Sequence, residues 1–136
     1  MICLDTNVVV AALNPKPSRI RERLRHALYQ GEIVAVPAIV LFELWYGIKK
    51  SARPAENAAG LSVFLSGGVI SWPFEVEDAE EAGNIRAALE RIGKPIGPYD
   101  TLIAAQARRR GAILITADSR EFARVPGLRS EDWAKK

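Results

Sequence analysis

A single histidine (His26) and a single cysteine (Cys3) are all that this sequence of 136 residues offers of the two side chains most used in zinc binding and nucleophilic chemistry. One thiol cannot close a disulfide within the chain, and with no second thiol and no histidine cluster a Cys/His zinc site cannot form. Acid–base chemistry beyond His26 must therefore fall to the 16 carboxylates, the lysines or the tyrosines. Long apolar runs are missing as well. The longest stretch almost free of charge, Ile33 to Ile48, is 16 residues and contains Pro37 and Glu43, too short and too polar to cross a bilayer. The opening Met1-Ile2-Cys3-Leu4-Asp5 meets an acid where a secretory leader needs a basic region and then an apolar core. A cytoplasmic protein without membrane association is the expectation.

What is present is ordinary globular composition, 49% apolar and 26% charged, at a length that suits one domain over residues 1–136. A chain of this mass hides roughly 68% of its unfolded surface on folding, enough for a core without staples. Charge is segregated along the chain. Residues 1–15 carry −1, 16–53 carry +5, 54–90 carry −6 and 91–136 carry +5, a net +3. Arginine outnumbers lysine 13 to 6, and the series Arg19, Arg21, Arg23, Arg25 together with Arg108, Arg109, Arg110 suits a polyanionic partner. Taken singly, each run also reads as a solvated helix face.

Apolar runs of strand length occur at Met1 to Leu4, Ile33 to Val36, Val69 to Ser71, Ala112 to Thr116 and Leu128 to Ser130. Helical spacing falls between them: from the N-cap Ser18 to Gly31, from Pro37 to about Lys50, over Ala58 to Leu65, Glu77 to Ile92, Tyr99 to Arg110 and Ser119 to Ala123. Ser51 to Asn57 and Lys94 to Pro98 read as connecting segments. Strands alternating with helices predict an α/β fold, a three-layer α/β/α domain around a central, mostly parallel sheet.

Four acids stand in apolar surroundings or at strand ends. Asp5 closes the first strand, where parallel sheets place ligands, and also suits an N-cap. Glu43 is the only charge between Ile33 and Ile48; a lone carboxylate buried there needs a partner, such as an arginine. Asp100 shares a helix face with Ile103, Ala104 and Ala107 and also reads as a cap. Asp118 follows a strand and stands three residues before Glu121, a capping arrangement. If all four meet in one pocket, each pair about 4 Å apart repels by roughly 4 kcal/mol at an effective dielectric of 20. A divalent cation resolves that repulsion, and oxygen ligands without His or Cys select Mg²⁺, with Mn²⁺ as a substitute. An acidic metal pocket beside basic surface suits phosphodiester hydrolysis by metal-activated water.

At these residues the chain resembles PIN-domain ribonucleases, in particular the VapC-type toxins of toxin–antitoxin pairs. Leu4-Asp5-Thr6-Asn7-Val8 is similar to the family's first acidic motif, and Phe42-Glu43-Leu44-Trp45-Tyr46-Gly47-Ile48 to its second. Tyr99-Asp100-Thr101-Leu102-Ile103-Ala104-Ala105 matches the third. Thr116-Ala117-Asp118, followed by Arg120-Glu121-Phe122 and Val125-Pro126-Gly127-Leu128, matches the last. The motifs occur in order from residue 1 to about Trp133. The resemblance implies a PIN-like fold and an Mg²⁺- or Mn²⁺-dependent endoribonuclease, with Asp5, Glu43 and Asp100 as core metal ligands. Asp118 would be a fourth acid that supports or binds a second ion. Thr6 and Thr116 would hydrogen-bond the carboxylates or metal waters, and Asn7 would shape the turn. It further implies a homodimer, an RNA substrate and a small cognate antitoxin whose C-terminal segment lies in the active-site groove. Gln106 departs from the pattern, since many relatives place histidine after the third acidic motif; the departure bears on a secondary contact and leaves metal binding untouched.

Two other readings compete. A PIN-like domain that binds RNA or a partner without cutting is opposed by the intact acidic set. A receiver-like signalling domain needs an acidic pair after its first strand and a lysine after its last, whereas Asp5 is followed by Thr6 and no lysine lies between Lys94 and Lys135. His26, off the apolar stripe, reads as a surface imidazole, Cys3 as an inert buried thiol, and Trp45, Trp72 and Trp133 as core and interface packing.

Overall fold

Short apolar runs without polar alternation belong in a sheet covered on both faces. In the computed structural model, which describes residues 1–135, three such runs form the middle of a five-stranded sheet. Among the described residues the chain forms, in order, β1 (Ile2–Leu4), α1 (Thr6–Leu13), α2 (Arg19–Tyr29), β2 (Val34–Pro37), α3 (Ala38–Lys50), α4 (Pro54–Leu65) and β3 (Ile70–Trp72). There follow α5 (Val76–Arg91), α6 (Pro98–Arg109), β4 (Ile113–Ile115), α7 (Ser119–Phe122) and β5 (Arg129–Glu131). The strand order is β3-β2-β1-β4-β5, and every pairing is parallel. Cys3 pairs with Ala35 on one side and Leu114 on the other, so β1 is central. The edge strands β3 and β5 are the ones with exposed residues. The expected three-layer α/β/α fold is thus present, with β3 and β5 shifted by one residue.

Helix α1 has no counterpart in the expectation, and α3, α4, α5 and α6 begin one to four residues away from it; Pro37, expected in the first turn of α3, instead closes β2 and is the N-cap of that helix. Thr6–Leu13 carries no assigned element in the sequence reading; its Val8-Val9-Val10 run is β-branched and stiff at χ1, and burial of Val8 and Val9 outweighs that weak preference. The segment expected to connect residues 51–57 is helical from Pro54, which occupies a first-turn position where its missing N–H costs nothing. In α6 the helix begins at Pro98 after the N-cap Gly97, so Asp100 lies inside the first turn and is not the cap.

Leu4, Val36, Leu44, Leu61, Ile85, Leu89, Ile103 and Phe122 fill the interior, each stabilising the fold by roughly 1.5–3 kcal/mol relative to exposure. Cys3 is wholly buried, and burial followed by the Asp5 charge pushes its thiol up, as an inert position requires. His26 is exposed, as expected. Trp72 and Trp133 are buried, whereas Trp45 is exposed at 37%.

The Arg108, Arg109, Arg110 series is not available to a polyanion, which corrects the sequence expectation. Arg108 pairs with Glu81 at 2.9 Å, Arg109 with Asp78 at 2.6 Å and Glu75 at 3.0 Å, and Arg110 with Asp78 at 2.9 Å and Glu75 at 3.0 Å. Asp78 is fully buried. Burial alone would raise its carboxyl; the hydrogen bonds from Arg110, Arg109 and the Glu75 N–H outweigh it and hold Asp78 below the usual range. These ion pairs clamp α5 to α6. Gln106 ties α6 to the end of β3: it is wholly buried, and its Nε2 donates to the carbonyls of Trp72 (3.3 Å) and Pro73 (3.1 Å), while Oε1 has no partner among the described residues. The contacts of Gln106 are therefore to backbone and not to the acids.

Candidate active site

The carboxyl end of β1 is where the site is built. Asp5 follows Leu4 directly, and its N–H donates to the Ile115 carbonyl at 2.9 Å, continuing the β1–β4 ladder by one bond. Its side chain then does two things at once. Oδ1 accepts from the Thr6 N–H at 2.8 Å and so caps α1, while Oδ2 accepts from the Thr116 hydroxyl at 2.7 Å. The capping and site readings of Asp5 are thus compatible. Only 3% of Asp5 is exposed. Burial raises its carboxyl; the Thr116 and Thr6 hydrogen bonds pull against this, and the charges of Glu43 and Asp118 add to it.

Glu43 leaves the middle of α3 half-buried, and its Oε1 accepts from the Thr6 hydroxyl at 2.6 Å. Among the described residues no arginine or lysine pairs with Glu43, so the salt-bridge reading fails and a hydroxyl is the partner instead. Asp118 sits in the turn after β4. Its N–H donates to the Thr116 Oγ1 at 2.9 Å, and its Oδ2 accepts from Asn7 Nδ2 at 3.2 Å. Asn7 also donates to Asp5 Oδ2 at 3.4 Å and accepts from the Ala117 N–H at 3.1 Å, tying the start of α1 to the turn after β4.

Asp100 approaches from the first turn of α6, half-buried, with no donor on its carboxylate among the described residues. Burial, then the charges of Asp5, Glu121, Glu43 and Asp118, push it up to about 7. The charges around Asp100 are thus the other three predicted acids together with Glu121. The capping arrangement expected for Asp118 and Glu121 does not form. Asp118 makes no side-chain cap, and Glu121 Oε1 instead accepts from the Gly97 N–H at 3.2 Å, at the entrance to α6. Glu121 is a fifth acid in the field of Asp100 that sequence reasoning missed, because its spacing from Asp118 is itself a cap signature.

Among the described residues no three of the His, Cys, Asp and Glu side chains are drawn into a ready-made metal cage. Thr6, Thr116 and Asn7 donate to Glu43, Asp5 and Asp118 respectively and orient those carboxylates. The donor set nevertheless fits a hard cation, being oxygen throughout. A groove of about 890 Å³ opens beside Thr6 and Glu43, walled by Val10, Leu13, Leu44 and Ile48.

Comparison with known proteins bears on this arrangement. The family profile described as PIN domain matches residues 2–128. A protein named tRNA(fMet)-specific endonuclease VapC from Shigella flexneri is 42% identical over 131 residues, covering 96% of each chain. One of the same name from Salmonella typhimurium is 40% identical over 130 residues, again 96% of each. Among solved structures, VapBC2 from Rickettsia felis bound to a fragment of promoter DNA superposes with a TM-score of 0.90 at 36% identity, covering 98% of this chain and 99% of that one. DNA-bound VapBC from Salmonella typhimurium gives 0.88 at 39%, with the same coverage.

Proposed function

This chain belongs to the PIN-domain family, and from that premise we propose that it is a divalent-metal-dependent endoribonuclease, the toxin of a toxin–antitoxin pair. The observation that carries the reading is the grouping at the carboxyl end of β1: Asp5, Glu43 and Asp118 are held by Thr116, Thr6 and Asn7, and beside them stands Asp100, a half-buried carboxylate with no donor among the described residues. Asp5, Glu43 and Asp100 would hold Mg²⁺ or Mn²⁺, with Asp118 supporting that ion or a second one. When bound, the ion polarises a phosphodiester and makes water more acidic.

The chain's own residues do the rest. Thr6 fixes Glu43 and Thr116 fixes Asp5 through hydroxyl donors, so two carboxylates are oriented before any ion arrives. Asn7 Nδ2 holds only Oδ2 of Asp118, leaving Oδ1 to accept a proton from attacking water. Substrate phosphates would be steered by the exposed Arg19 and Arg25 of α2, since Arg23 pairs with Glu131 and lies over Trp133, and Arg108, Arg109 and Arg110 are engaged within the fold.

The names of the relatives make tRNA the first RNA to test. The solved VapBC neighbours support a cognate antitoxin as partner, and the groove beside Glu43 is where its C-terminal segment would lie. We read the toxin as a homodimer acting in the cytoplasm; among the described residues no helix is long and apolar enough to cross a membrane. The test is direct: purified protein incubated with total RNA and Mg²⁺ or Mn²⁺ should cut it, EDTA should stop the cutting, and expression alone should arrest growth. Unchanged cleavage and toxicity in Asp5→Asn would overturn the reading, and sequencing the new RNA ends would identify the target.

A further inference from the structure

Several arginines of α5 and α6 are neutralised within the fold: Arg86 by Glu90, Arg108 by Glu81, and Arg109 and Arg110 by Glu75 and Asp78. The two arginines of α7 and the turn after it are not. Arg120 and Arg124 are exposed, and among the described residues neither pairs with a carboxylate. The acid between them, Glu121, is turned to backbone, its Oε1 accepting from the Gly97 N–H at 3.2 Å. Side chains about one turn apart share a side of a helix, so two like charges stand together without the carboxylate that could have separated them. Such a pair gains from an anion that bridges it.

Contacts across the fold fix where the pair stands. Arg124 Nη1 donates to the Pro95 carbonyl at 3.2 Å, which lays the guanidinium on the loop leading into α6. Two residues further on, Gly97 is held by Glu121 and abuts Asp100, since a Cβ on Gly97 would stand 3.5 Å from Asp100 Oδ2. Helix α7 itself opens at Asp118 and is anchored from beneath by the buried Phe122. The cations therefore border the acids on the side of Asp100 and Asp118, whereas the groove of about 890 Å³ is lined from α1, α3 and α4. A guanidinium carries N–H donors on a planar fork; with one of them on Pro95, Arg124 is already ordered and its other edge suits a phosphate. We propose that Arg120 and Arg124 form a phosphate-binding rim for the RNA strand that enters the acidic site from the α7 side. The rim takes the backbone and not a base, so it adds affinity without sequence preference. Arg19 and Arg25 draw the polyanion in, and Arg120 and Arg124 hold it. The inference rests on the nuclease reading above and names the part of the substrate that these side chains take.

The experiment uses the full chain carrying Asp5→Asn, so that RNA is bound without being cut. Fluorescein-labelled unfractionated tRNA is titrated against it by anisotropy over a series of NaCl concentrations. Arg120→Gln and Arg124→Gln should each weaken binding about 10-fold at low salt and flatten the dependence of log K on log salt by about 0.7 to 0.9. Arg124→Lys should keep the slope and recover part of the affinity, because the charge stays and the fork is lost. Arg86→Gln removes the same unit of charge from α5 and should leave both readings at the parent's values. In the cleaving chain, Arg120→Gln should raise KM for RNA with kcat unchanged. Affinity and salt slope indifferent to Gln at both positions would overturn the rim while leaving the nuclease reading intact. A fall in kcat and melting temperature with Arg124→Gln, while both variants keep the parent's KM and salt slope, would overturn it in favour of a brace on the Pro95 loop. Equal losses with Arg86→Gln would overturn it in favour of net charge alone. No RNA binding by Asp5→Asn at low salt, together with no cleavage by the unsubstituted chain, would overturn both readings.

Discussion

The hydroxyl of Thr6 donates to Oε1 of Glu43 at 2.6 Å, joining the first turn of α1 to the middle of α3 across 37 residues of sequence. Glu43 is thereby oriented by a group one residue away from Asp5. Thr6→Val keeps the shape and removes the donor. Metal affinity, followed by calorimetry with Mn²⁺, should fall about 10- to 100-fold. Urea unfolding of the metal-free protein should change by no more than about 1.5 kcal/mol, the worth of one hydrogen bond.

Neutralising Asp100 should separate activity from stability. Asp100→Asn removes a proposed ligand and also removes one charge from a crowded acidic field. RNA cleavage should drop by at least about 100-fold. The metal-free variant should melt at a higher temperature than the parent, and Mn²⁺ should no longer raise that temperature as it does for the parent.

The same residue gives the metal-free protein a specific pH profile. Asp100 is raised from 3.8 to about 7, so its contribution to stability is fully present below 3.8 and is lost as pH rises through about 7. Thermal melts in EDTA should therefore improve as pH is lowered from about 8 to about 5. Asp100→Asn should flatten that slope, and saturating Mg²⁺ should suppress it by favouring the ionised form. Asp78 acts in the opposite sense, because its carboxyl is held below 3.8 and its contribution disappears only as pH falls beneath that value.

Asp78 is also where the α5–α6 clamp is most sensitive. Asp78→Ala leaves Arg109 and Arg110 facing each other without their shared buried acceptor, and urea unfolding should show a loss of about 3 kcal/mol. Glu75→Gln touches the same arginines from a half-exposed position and should cost less than about 1 kcal/mol.

Most of the fold was legible because its strands are short, apolar and punctuated by Gly or Pro. Helix α1 was not, because three consecutive β-branched valines carry a weak helix preference that only tertiary burial overrides. The four acids were legible through their misfit with their surroundings. Glu121 and the arginine triplet were misread for one common reason. A carboxylate three residues after Asp118 looks like a cap, and adjacent arginines look like a nucleic-acid patch; only the packing of α7 on the α6 entrance, and of α5 on α6, shows what those charges face.

The bond from Thr116 to Asp5 spans 111 residues, nearly the length of the chain. The central strand β1 and the strand β4 that completes its carboxyl end are neighbours in the sheet, yet β2, β3 and most of the helices lie between them along the chain. A nascent chain that has not reached Thr116 therefore lacks both the fourth acid and the hydroxyl that orients the first. Closure of this site waits on β4 and the turn after it, so a chain truncated before them carries Asp5, Glu43 and Asp100 without the groups that hold the first of them in place.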